Sequence, residues 1–183
     1  MTELAAHLGR TTGAVFRAHN PRWSFAPESG DGARARGGRF NPRGMAALYT
    51  CLSIEAAWAE AQHGLPAKAQ PLTLCQYDVD CSDILDLRKP ASRKAAGITE
   101  ADLACAWWSL AYIEGAEPPT WAMARRLVAA GAAGILVPSH ARHAPPGATN
   151  LVLYDWGRAP PHFIRVVDDE QRLPRNSASW SGV

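Results

Sequence analysis

Several things are scarce in this chain, and each scarcity excludes something. The four cysteines (Cys51, Cys75, Cys81 and Cys105) form no C-x-x-C pair, which argues against a zinc site, and no metal is expected. No window approaches the ~18 continuous apolar residues that a membrane-spanning helix needs. Met1-Thr2-Glu3-Leu4 shows no basic stretch running into an apolar one, so no signal peptide is expected and a reduced, cytoplasmic protein is. A net charge of +2 over 183 residues does not argue by itself for nucleic acid or an anionic membrane. No segment repeats and no linker separates two halves. Strict β-α alternation is missing, which disfavours a doubly wound parallel sheet.

What the chain does have is apolar weight and punctuation. Apolar residues make up 47% and charged residues 20%, as in an ordinary globular domain. Seven tryptophans suggest a core built from large, rigid pieces, while 14 prolines and 15 glycines mark loops that matter. One domain spanning 1–183 is expected, with its core at about 13–167 and a polar tail at 168–183.

Periodicity and capping signals order the elements. Residues 1–12 read as a short helix or loose end, and 13–19 as a strand with Val15 and Arg17 on one face. Residues 20–38 form a long glycine-rich basic loop without periodicity, a length that in compact domains is usually either functional or disordered. A strand at 45–50 leads to Ser53 as N-cap of a helix at 54–63, closed by Gly64 with Pro66 beyond. Alternation at 71–79 predicts another strand, and 81–90 reads as a return segment. Thr99 and Asp102 form a capping box that opens a helix to Glu114, closed by Gly115. A helix at 121–130, a buried strand at 134–138, an irregular loop at 140–149 and strands at 150–156 and 162–167 complete the chain. The class expected is α+β: one domain of mostly antiparallel short sheets with peripheral helices.

Chemistry concentrates between residues 37 and 60. Gly37 and Gly38 let the backbone approach a ligand and aim Arg39, whose planar fork suits phosphate or ribose oxygens. Tyr49, near a strand end, can stack on a heterocycle. Glu60 follows two turns into the next helix and projects beside that strand end. One carboxylate does not make the two-carboxylate pair of most glycosidases. It does suit cleavage of the nicotinamide–ribose bond of NAD, where the leaving group is already cationic and the transition state is oxocarbenium-like. Taken singly, each residue has a plainer reading: a common turn, a core tyrosine, a solvated helix glutamate.

Joined, they resemble a known signature. Arg17, the Gly30-Asp31-Gly32-Ala33 turn, Gly37-Gly38-Arg39-Phe40-Asn41 with Gly44, Tyr49-Thr50, Ser53, Glu60 with His63, and Asn150-Leu151-Val152-Leu153 look like the RES-domain proteins over about residues 13–167. Phe40 stands where tryptophan is the commoner choice. The resemblance implies an ADP-ribosyltransferase-like fold and a toxin of a type II toxin–antitoxin module. It also implies an NAD-consuming activity, degrading NAD or moving its ADP-ribose to a protein acceptor. The partner it implies is an Xre-like helix-turn-helix antitoxin. By position, Arg39, Tyr49 and Glu60 match the family's active-site set and Arg17 a pocket arginine; Ser53, Ser139 and Asn150 are further candidates for pocket hydrogen bonds. Two other readings stay open. Arg34, Arg36, Arg39 and Arg43 interleave with Trp23, Phe25 and Phe40, as in single-strand nucleotide or RNA binders. The tryptophans could also pack a partner in a non-catalytic interaction domain.

Overall fold

A computed structural model describes residues 2–62 and 70–178. His63, Gly64 and Pro66, predicted to end the third helix, lie outside the described residues. In chain order the elements are α1 (Thr2–Ala5), β1 (Leu8–His19), a 3-10 turn (Pro21–Trp23), α2 (Asp31–Arg36), β2 (Leu48–Cys51), α3 (Ile54–Ala61) and β3 (Thr73–Asp86). There follow α4 (Pro90–Ala96), α5 (Glu100–Leu103), α6 (Trp107–Ser109), a π-helical turn (Leu110–Glu114), α7 (Pro119–Ala129), β4 (Gly134–Pro138), β5 (Thr149–Leu153) and β6 (His162–Val166).

The strands form one mixed sheet in the order β1-β2-β5-β4-β3-β6, and β1 also pairs with β3, so the sheet closes on itself as a small barrel. Every pairing is antiparallel except β3 with β4. Closure depends on β3. Its middle pairs with β6 through residues 77–81, and its end pairs with β4 through 84–86. Between them the register against β1 shifts, from Thr11 opposite Cys81 to Gly9 opposite Ile84, and Asp83 takes φ +60°. The extra residue is a bulge that bends and twists the strand from one neighbour to the next. The segment 81–90, predicted as a return, is therefore strand as far as Asp86, because the bulge interrupts the alternation on which the prediction rested.

Alternation along the buried strands divides the core. Val15, Leu48, Tyr77, Val79, Leu136, Leu151, Leu153 and Ile164 pack within the closed sheet. Their sequence neighbours Ile135, Val137 and Val152 face the other way, against Leu103, Met123 and Leu127 of the helices. With both faces covered, β4 and β5 read as continuous apolar runs. The helix expected at 99–114 is broken: Thr99 and Asp102 do form the capping box, but α5 stops at Leu103. β1 begins at Leu8, inside the stretch expected to be helical or loose, and the basic loop contains α2.

Candidate active site

Three adjacent strands and one helix build the site. Cys51 stands opposite Asn150 across the β2–β5 ladder and opposite Phe16 across β1–β2, which brings Arg17, Tyr49 and Asn150 to one region. Ser53 caps α3 by accepting from the amide of Ala56 at 3.2 Å. Ala56, Ala57 and Ala59 then let that helix lie close to the sheet, all three buried. This close packing sets Glu60 over the end of β5. Between them lies a cavity of about 290 Å³ lined by Arg17, His19, Tyr49, Cys51, Glu60 and Asn150, among others.

Glu60 is firmly held. Its Oε1 accepts from Ser139 Oγ at 2.6 Å and from Asn150 Nδ2 at 2.6 Å. Ser139 Oγ in turn accepts the amide of Ala141 at 3.2 Å, which leaves its proton for the carboxylate. Cys51 Sγ donates to Asn150 Oδ1 at 3.1 Å and so fixes which end of the amide faces Glu60. Burial, followed by the charge of Glu60, pushes the Cys51 thiol up to about 12, so it remains a donor. Both bonds to the carboxylate are charge-assisted and short. Among the described residues, Oε2 has no hydrogen-bond partner.

The arginines are also tied. Arg17 Nη1 donates to the carbonyls of Pro27 and Ser29, each at 3.1 Å, pinning the loop before α2 to β1. Arg39 Nη1 donates to the carbonyls of Leu103 at 3.2 Å and Cys105 at 2.6 Å. Burial is the main influence on both guanidiniums and lowers their pKa; at Arg39 the charges of Cys105 and then Glu60 oppose it. Arg39 is not in the cavity wall, but its charge and that of Glu60 act on each other.

The Tyr49 hydroxyl is engaged within the fold. That group donates to Asn41 Oδ1 at 2.7 Å and accepts the amide of Phe40 at 3.0 Å, so only the ring is left for the cavity. Burial holds the phenol well above its ordinary value. Gly38 is required here, since a Cβ would stand 2.5 Å from the Tyr49 hydroxyl and 2.7 Å from Asn41 Oδ1, and Gly37 before it takes φ +73°.

Of the residues singled out in the sequence, the structure thus gathers Arg17, Tyr49, Glu60 and Asn150 at the cavity, with Ser139 bonded to Glu60 and Arg39 alongside. Ser53 is engaged as a helix cap and does not line the cavity. Cys51, His19 and His140 went unnoticed. His19 Nε2 lies 3.3 Å from Ser24 Oγ and its buried Nδ1 has no partner among the described residues; burial first, then Arg17, lowers its pKa to about 4. His140 also buries an Nε2 with no partner among the described residues, and its pKa is lowered by burial and then by Arg39 while Glu60 opposes the shift. Only its position next to Ser139 hinted at it. Of the cation–aromatic set that suggested RNA, Phe40 is buried, Arg39 is tied to backbone carbonyls and Arg43 lies over Tyr112, while Arg34 forms an exposed pair with Asp31 at 2.8 Å and Trp23 is exposed. No cluster of three or more potential metal ligands occurs among the described residues. No helix there is long and apolar enough to cross a membrane.

A small closed mixed sheet with helices packed on its outer face defines the class as a single α+β domain. The crystal structure of the Mycobacterium tuberculosis MbcT–MbcA toxin–antitoxin complex contains a chain of this fold, matching with a TM-score of 0.64 over 91% of this chain and 88% of that one at 22% identity. Residues 14–176 match the RES domain, and the chain belongs to that family. Among its relatives are the proteins named NAD(+) phosphorylase MbcT from M. tuberculosis and from M. bovis, each 32% identical over 133 residues, 67% of this chain and 72% of the relative.

Proposed function

We propose that this protein is the toxin of a toxin–antitoxin module and that it consumes NAD in the cytoplasm by phosphorolysis. The ribose C1–N bond to nicotinamide breaks, and its electron pair leaves with nicotinamide, which becomes neutral. A phosphate oxygen bonds to C1, giving nicotinamide and ADP-ribose carrying a phosphate on that carbon. The observation that carries the reading is Glu60, with Oε1 held by Ser139 and Asn150 and Oε2 left for a ligand, at the wall of the cavity. A fixed negative charge there stabilises the positive charge that develops on the ribose, with no reorganisation at the moment of reaction. The relatives named as NAD(+) phosphorylases favour phosphate over water or a protein side chain as acceptor.

In this reading Arg17 and Arg39 bind the phosphates or the ribose, and the Tyr49 ring stacks on nicotinamide. At about 290 Å³ the cavity is at the small end for a ligand site, so it takes the nicotinamide–ribose end while the rest of the dinucleotide runs outside. An antitoxin is the proposed partner, in keeping with the toxin–antitoxin complex of the structural neighbour, and the family resemblance makes an Xre-like one the type proposed. Co-expression with the adjacent reading frame and co-purification tests the pairing.

The activity is tested by incubating purified protein with NAD, with and without inorganic phosphate, and separating the products. Nicotinamide released only with phosphate, together with phosphorylated ADP-ribose, is expected. Free ADP-ribose would make the enzyme a hydrolase, and a labelled protein acceptor would make it a transferase. No nicotinamide release under any condition would refute the proposal.

A further inference from the structure

Outside the cavity, one segment reaches over to the backbone that carries Arg39. Trp121 Nε1 donates to the carbonyl of Gly38 at 2.7 Å, a carbonyl shared with the Asn41 amide at 3.4 Å. Thr120 Oγ1 donates to the carbonyl of Arg39 itself at 2.5 Å, and the Tyr112 hydroxyl donates to that of Arg36. Three carbonyls within four consecutive residues are thus taken by side chains from residues 112–121.

Two of these donors, Tyr112 and Trp121, are packed together. The rings of Trp107, Tyr112 and Trp121 pack against one another with centroids 6.2–6.5 Å apart. Arg43, beyond the loop, stacks its guanidinium 4.9 Å over Tyr112. Tyr112 sits in the π-helical turn, a rare geometry that concentrates at functional sites. Gly37 and Gly38 have no side chains with which to hold their own stretch, while Asn41 beyond Arg39 holds the far side of the loop by donating to the carbonyls of Ala33, Pro42 and Met45.

We infer that Trp121, Thr120 and Tyr112 are positioning residues of the active site, forming a clamp that sets where the Arg39 guanidinium stands relative to Glu60. The backbone of Arg39 is fixed by the clamp and its tip by the carbonyls of Leu103 and Cys105, so the charge is presented from two anchored ends. The inference rests on the proposed role of Arg39 in binding NAD.

The test uses Trp121→Phe, which keeps a ring and removes the N–H, and Thr120→Val, which keeps the shape and removes the hydroxyl. Each raises KM for NAD about tenfold, the equivalent of one hydrogen bond, with a smaller change in kcat. In an Arg39→Lys background, whose side chain cannot reproduce the two-carbonyl anchor, the same changes cost less than about twofold. Equal losses in both backgrounds, or an unchanged KM in both variants, would overturn the clamp. Amide exchange supplies a readout that needs no turnover: exchange at residues 38–41 is faster in Trp121→Phe and in Thr120→Val, and unchanged exchange in both would also overturn it. A wild-type protein that consumes no NAD would defeat the proposed function, and the exchange measurement would still decide on the clamp.

Discussion

Replacing Asn150 separates two accounts of why Glu60 is placed as it is. Asn150 Nδ2 donates to Glu60 Oε1 at 2.6 Å, and the residue is 7% exposed. A hydrogen bond to a charged, partly buried carboxylate contributes about 1.5–3 kcal/mol, so Asn150→Ala should lower nicotinamide release roughly 10- to 100-fold if the bond acts in the transition state. Asn150→Asp keeps the shape and puts a carboxylate oxygen where the donor stood. At 2.6 Å and an effective dielectric of ~20, two unit negative charges repel by about 6 kcal/mol before they relax. The isosteric variant should therefore be the worse of the two, with activity falling in the order Asn, Ala, Asp. Filling the space would predict the reverse order for the two variants. Initial rates of nicotinamide release at saturating NAD and phosphate, with circular dichroism to establish folding, give the ranking. An Asp variant as active as the Ala variant would refute electrostatic holding of Glu60.

Glu60→Gln should abolish nicotinamide release by at least about 100-fold while changing the Tm by only a few degrees, since the amide oxygen still accepts from Ser139 and Asn150; thermal melts and rates on one sample decide it. Gly38→Ala forces a Cβ to 2.5 Å from the Tyr49 hydroxyl and should cost about 2–4 kcal/mol, measured as a Tm lowered by roughly 5–15 °C. Because the pKa of His19 falls from 6.5 to about 4 on folding, the unfolded chain binds more protons between those values. The protein should lose about 3 kcal/mol as pH drops from 6.5 to 4, the full contribution being present above 6.5. Denaturant unfolding of wild type and His19→Gln at pH 7 and pH 4.5 should show a smaller pH penalty in the variant; equal penalties would exonerate His19.

The sequence made the local features of this fold legible and hid its long-range ones. Ser53 and the Thr99–Asp102 box were readable because caps are made by neighbours along the chain. Arg17, Arg39, Tyr49 and Glu60 could be singled out by residue type and by the resemblance to RES-domain proteins. What Tyr49 does with its hydroxyl could not be read, because Phe40 and Asn41 meet it only through the folding of the glycine loop. Nor could the course of β3, whose bulge around Asp83 hides a 14-residue strand behind broken alternation. His19 and His140 escaped for a related reason: nothing in their sequence neighbourhoods tells that a ring nitrogen is buried with no partner among the described residues.

The bonds that hold Glu60 span the chain: Ser139 is 79 residues away and Asn150 is 90. During synthesis from the N-terminus, Arg17, Arg39 and Glu60 are all made before either holder exists. β2, which carries Tyr49, has no β5 to pair with until residues 149–153 have left the ribosome. A nascent or truncated chain therefore carries the charged groups of the site without the site itself. If the protein is the toxin proposed above, toxicity by this chemistry would start only once nearly the whole chain has been made, which would leave an antitoxin the full interval of translation in which to be ready.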